Sequence, residues 1–90
     1  MSKWSRSDGN QAEIVRELRA HGVSVFITNA VGRGFPDLVA GYRGRNFLLE
    51  CKRSPKGKLS QDQETFRAIW TGQWARVNNS IEALEVVGVL

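Results

Sequence analysis

Ile14 and Leu18 stand four residues apart with Val15 beside them, a narrow apolar stripe at helical spacing. Asp8 or Asn10 can cap this helix, predicted over residues 9–21, and Gly22 ends it. Val23, Val25, Phe26 and Ile27 follow in a short β-branched and aromatic run that predicts a strand over residues 23–28. Residues 29–36 carry Gly32, Gly34 and Pro36 and read as a loop. Residues 37–42 and 45–52 predict two strands joined at Arg43-Gly44, a hairpin. A basic loop with Pro55 and Gly57 comes next. Phe66, Ile69 and Trp70 then recur at i, i+3 and i+4, predicting a helix over residues 60–71 with Gly72 as its stop. Residues 74–77 predict a short strand, and Ser80 caps a last helix carrying Ile81, Leu84 and Val87. The order αβββαβα predicts a small α/β sheet domain.

Length and composition narrow the picture. Ninety residues make one domain over residues 1–90, with the polar residues 1–8 expected as a tail. A core this small leaves dimerisation as a simple route to added stability. Hydrophobic residues at 41% and charged residues at 24% are globular values. No run approaches the ~18 apolar residues of a membrane span. The polar start lacks the apolar segment of a secretory signal. A single cysteine allows no internal disulfide, so a reducing cytoplasm is the expected compartment. One cysteine and one histidine also exclude a zinc site built from Cys and His clusters.

The net charge of +4 is unevenly placed. Residues 31–60 hold seven basic groups and only two acidic ones, Asp37 and Glu50. A concentrated positive segment is the footprint of a polyanion partner such as nucleic acid, although a solvated basic surface has the same composition.

The two carboxylates are not scattered. With Arg43 and Gly44 as turn residues, Ala40 pairs with Phe47, Leu38 with Leu49, and Asp37 with Glu50. Strand alternation puts Leu38, Ala40, Phe47, Leu49 and Cys51 on a core-like face. Asp37, Val39, Gly41, Leu48, Glu50 and Lys52 share the other. Facing like charges destabilise a sheet unless something positive lies between them. Lys52 or a hard divalent cation such as Mg²⁺ or Mn²⁺ meets that need.

At these residues the sequence resembles the PD-(D/E)xK nuclease superfamily. Pro36-Asp37 is followed by Glu50-Cys51-Lys52. The fuller string is Gly34-Phe35-Pro36-Asp37-Leu38, then Phe47-Leu48-Leu49-Glu50-Cys51-Lys52, then Leu59-Ser60 with Gln63. With Glu13 on the leading helix, it is similar to the VRR-NUC (virus-type replication-repair nuclease) family over about residues 10–84. The resemblance implies a restriction-endonuclease-like αβββαβ core, a mixed sheet flanked by helices. It also implies metal-dependent cleavage of branched DNA such as Holliday junctions. Small stand-alone members, typical of phages and bacteria, are dimeric.

Carried over to this chain, the resemblance makes Asp37, Glu50 and the Cys51 main-chain carbonyl ligands of Mg²⁺ or Mn²⁺, with Glu13 completing the acidic cluster. Lys52 would orient the attacking water or stabilise charge at phosphorus, and Gln63 would lie near the metal. Ser60 and Gln63 also have the spacing of a helix capping box, a structural role for the same glutamine. The Cys51 side chain reads as a small buried hydrophobe, and Glu13 with Glu17 as a solvated pair on one helix face. Arg33, Arg53, Lys56 and Lys58 are candidate phosphate contacts, which position DNA without reading its bases. The competing reading is a nuclease-like fold that binds DNA or dimerises without cutting.

Overall fold

A computed structural model describes the backbone of residues 2–90 and the side chains of residues 10–90. The elements run α1 (Ser2–Ala20), β1 (Ser24–Ile27), β2 (Leu38–Tyr42), β3 (Arg45–Cys51), α2 (Gln61–Ile69), β4 (Trp74–Val77) and α3 (Ser80–Val87). The predicted order holds throughout. α1 begins earlier than the predicted residue 9, so Asn10 lies inside the helix rather than at its cap. The tail expected over residues 1–8 falls on side chains outside the described residues.

The four strands lie in the order β1-β2-β3-β4. β1 with β2 and β2 with β3 are antiparallel, while β4 joins β3 in parallel. The parallel pair needs a crossover, and α2 supplies it. The hairpin register is the predicted one: Tyr42 opposite Arg45, Ala40 opposite Phe47, Leu38 opposite Leu49. Arg43 (φ 53°) and Gly44 (φ 80°) are both left-handed, the backbone of a two-residue type I′ turn.

One face of the sheet is the core. Ile14, Val15 and Leu18 of α1 and Ala83, Leu84 and Val87 of α3 are buried with Val25, Leu38, Ala40, Phe47, Leu49 and Val77. α3 is capped by Asn79, not Ser80: the Asn79 side chain accepts from the Glu82 amide at 2.9 Å. Ile81 is exposed, and Ala83 takes the inward place.

α2 departs furthest from the pattern. It stops at Ile69, with Trp70 extended at its C-cap, and none of its residues is buried. The predicted Phe66, Ile69, Trp70 stripe does not enter the core. Phe66 instead meets Phe35 edge-on at 5.3 Å and stacks with Trp70 at 5.4 Å. The reason lies in what α2 covers. Through Gln63 and Arg67 it packs on the sheet face opposite the core, where Glu50 and Trp74 project.

Candidate active site

Strand alternation sends Glu50 to the face away from the core, where α2 closes over it. The side chain is only 2% exposed. Asp37 stands just before β2, one step beyond the Leu38–Leu49 pair, which brings it alongside Glu50. Its Oδ2 accepts from the Cys51 amide at 2.9 Å, fixing the carboxylate to β3. The Thr28 amide donates to the Asp37 main-chain carbonyl at 2.7 Å, and the Thr28 hydroxyl donates to the Pro36 carbonyl at 2.9 Å. The end of β1 thus pins the Pro36-Asp37 corner.

The two carboxyls strain each other electrostatically. Burial, then the Asp37 charge, then a hydrogen bond with Asp37 push the Glu50 carboxyl up to about 8, against the lowering pull of Lys52 and Arg76. Glu50 Oε1 is buried with no donor facing it. The same burial and the same two carboxylates raise the Cys51 thiol to about 12, which leaves it protonated and unreactive.

Glu50 Oε2 is well served by comparison. Gln63 Nε2 donates to it at 2.9 Å, and Lys52 Nζ approaches it at 3.8 Å. Lys52 Nζ also donates to Gln63 Oε1 at 3.1 Å. That Oε1 accepts from the Ser60 amide at 2.8 Å, while Ser60 Oγ accepts from the Gln63 amide at 3.2 Å. Gln63 therefore closes the capping box and bridges Glu50 to Lys52 at once.

Gly34 lets α2 come this close. A Cβ at Gly34 would run into the Asp62 carbonyl, and its φ of +81° is left-handed. The loop before Pro36-Asp37 and the helix carrying Gln63 touch backbone to backbone there.

Two site residues escaped the sequence reading. Arg76 stands opposite Glu50 in the parallel β3–β4 register, and its guanidinium donates to the Ser54 carbonyl at 2.8 Å, anchoring the basic loop. Asn10 donates from Nδ2 to the Lys52 carbonyl at 3.1 Å, tying α1 to the end of β3. Only the parallel register could have flagged Arg76, and Asn10 carries no local signal beyond its capping propensity.

The other candidates are more peripheral. Glu13 lies one turn beyond Asn10 on α1 and is exposed. Among the described residues, no group of three or more Asp, Glu, His or Cys side chains is gathered for a metal. Arg33, Arg53, Lys56 and Lys58 are exposed in the two loops flanking the carboxylates. No helix among the described residues is long and apolar enough to cross a membrane.

A family model of archaeal Holliday junction resolvases (Hjc) matches residues 4–84. Among solved structures, the chain is similar to a VRR_NUC domain at a TM-score of 0.69 and 23% identity, over 91% of this chain and 94% of that one. No curated protein matches. The small mixed-sheet α/β fold is thus that of a VRR_NUC nuclease domain.

Proposed function

Because the chain belongs to the archaeal Holliday junction resolvase family of nucleases, we propose that it is a metal-dependent endonuclease that hydrolyses phosphodiester bonds in branched DNA. One observation carries the reading. Asp37 and Glu50 meet on the sheet face that Lys52 shares, beside loops rich in Lys and Arg, and a buried Glu50 oxygen lacks a donor. Facing carboxylates destabilise a sheet unless something positive lies between them.

The donor set suits a hard divalent cation. Asp37, Glu50 and the Cys51 carbonyl would hold Mg²⁺ or Mn²⁺, with Glu13 joining from α1. When bound, such an ion lowers the pKa of its water and neutralises the phosphate.

The chain's own residues supply the rest. Lys52 presents an ammonium held between Gln63 Oε1 at 3.1 Å and Glu50 Oε2 at 3.8 Å. A preorganised cation stabilises charge that develops on the phosphoryl oxygens and orients the attacking water. Gln63 holds the Glu50 carboxylate and the Lys52 ammonium in register. Arg33, Arg53, Lys56 and Lys58 contact phosphates on either side, giving structure-selective rather than base-specific binding.

A homodimer fits the outer edge of the sheet. β1 is an edge strand, and Phe26 on it is 76% exposed. A large apolar side chain on an open strand edge is a liability in a monomer. A two-fold dimer presents two sites to two strands of a four-way junction. A DNA substrate and a single free cysteine both suit a cytoplasmic protein.

The test is cleavage of end-labelled four-way junction, flap and duplex DNA with Mg²⁺ and with EDTA. The expected result is Mg²⁺-dependent cutting of branched DNA that Asp37→Asn abolishes. Salt-sensitive binding without cleavage, or equal cleavage by Asp37→Asn, would overturn the reading in favour of a non-catalytic DNA-binding module.

A further inference from the structure

A cavity of about 470 Å³ opens where the basic loop faces β4 and α2. Its walls include Lys56, Lys58, Leu59, Arg67, Trp74 and Arg76. The volume is in the range of small-ligand sites, ~300–1,000 Å³. Arg76 belongs to this cavity and also stands opposite Glu50, so the cavity adjoins the carboxylates.

The charge inside is unbalanced. Glu64 is the one acidic wall residue, and it approaches Arg67 at 3.8 Å. Arg76 is anchored to the neutral Ser54 carbonyl. Among the described residues no carboxylate pairs with Lys56 or Lys58. Lys56 and Lys58 therefore line a concave surface without a counter-ion, beside Arg76, whose charge faces the largely protonated Glu50, and such a surface calls for an anion.

The walls are not purely cationic. The Arg67 guanidinium lies over the Trp74 ring at 5.2 Å, and Leu59 and Pro55 add apolar surface. A bare phosphate has no use for such surface, and a base stacked inside a duplex cannot reach it. A base released from its stack can lie against an aromatic ring or a guanidinium plane.

We propose that this cavity seats one unpaired nucleotide of a DNA strand beside the cut site, its phosphate among Lys56, Lys58 and Arg76 and its base against the Arg67 guanidinium stacked on Trp74 and against Leu59. The inference rests on the nuclease reading and names the strand feature that the site prefers. Flaps, and junctions whose central pairs open, expose unpaired nucleotides, so the cavity favours these over uniform duplex DNA.

The test is fluorescence anisotropy in EDTA, where the strand stays intact. The probes are a labelled dT₁₂ oligonucleotide and an abasic-spacer oligomer with the same number of phosphates. The full-length protein is expected to bind dT₁₂ about tenfold more tightly, a difference of the size that one stacked base contributes. Trp74→Phe keeps that preference. Leu59→Ala, in a loop, reduces it severalfold, and so does Arg67→Ala, whose folding is checked by circular dichroism because Arg67 also docks α2 on Trp74. Trp74→Ala reduces it too, but Trp74 pairs with Leu48 in the sheet, so its folding is checked by circular dichroism.

Equal binding of the two oligomers, no binding of either, or unchanged preference in both Leu59→Ala and Arg67→Ala would overturn the proposal. Junction cleavage by the parent with Mg²⁺ is measured alongside. Cleavage without base preference removes the cavity's role alone, whereas absent cleavage removes the nuclease reading on which it stands.

Discussion

Gln63 donates from Nε2 to Glu50 Oε2 at 2.9 Å, so the helix-capping side chain of α2 is also a contact of the buried Glu50 carboxyl. The two duties can be separated by substitution. Ser60→Ala removes half of the capping box and should cost about 1 kcal/mol of stability with little loss of cleavage. Gln63→Ala removes the cap and also frees Lys52 and Glu50. It should cost a similar amount of stability and roughly tenfold or more in cleavage rate. Thermal melts and junction cleavage on both variants check this; equal cleavage by the two would assign Gln63 to capping alone.

Glu50 makes stability depend on pH. In the unfolded chain it loses its proton near 4.5, and in the folded metal-free protein near 8. Between those values the folded state holds a proton that the unfolded state has released. Stability is therefore full below about 4.5 and falls as pH rises toward about 8. Melting temperatures in EDTA should decline across that window. Glu50→Gln, uncharged at every pH, should flatten the decline; an unchanged slope would refute the assignment.

Metal should act in the opposite direction. A divalent cation binds the ionised carboxylates, which the folded state alone brings together. At tenfold excess over its Kd, Mg²⁺ should stabilise the protein by about 1.4 kcal/mol, roughly 5–10 °C for a domain of this size. Asp37→Asn should show no such shift. The measurement needs no DNA, so it reports on the site independently of cleavage.

Gly34→Ala tests the backbone contact behind the site. The added methyl meets the Asp62 carbonyl and must adopt a left-handed backbone. The left-handed conformation alone costs about 1 kcal/mol, and the collision adds to it. The loop before Asp37 and the start of α2 must then separate, so cleavage should fall together with melting temperature. Gly32→Ala is the control: its φ is also left-handed at +84°, but nothing lies within 4 Å of its Cβ position. It should lose stability and retain most of the cleavage rate.

Local pattern was enough for the hairpin, its register and the facing pair of carboxylates, because Arg43-Gly44 permits one tight turn and alternation does the rest. It was enough for Ile14 and Leu18 as core for the same kind of reason. It failed for α2. Phe66, Ile69 and Trp70 have core spacing, yet the core face is already covered by α1 and α3, and α2 is left to the carboxylate face. Periodicity reports that a helix has an apolar side, not which layer remains open to it. Arg76 and Asn10 were missed because their partners, Glu50 and the Lys52 carbonyl, are set by sheet register and helix docking over long sequence separations.

Phe26 lies on edge strand β1, on the face away from the core, opposite Val39. At 76% exposure it supports nothing inside the domain, so Phe26→Asp should leave the melting temperature of the monomer nearly unchanged. In a two-fold dimer built through that edge, the substitution places two carboxylates against each other in an apolar contact. Sedimentation velocity should then show a dimer for the parent and a monomer for Phe26→Asp. Junction cleavage separates the consequences further. Paired sites cut both strands within one encounter, whereas a monomer should nick one strand and release the junction, so singly nicked product should accumulate. A parent that sediments as a monomer, or a variant that stays dimeric, would refute an interface at β1.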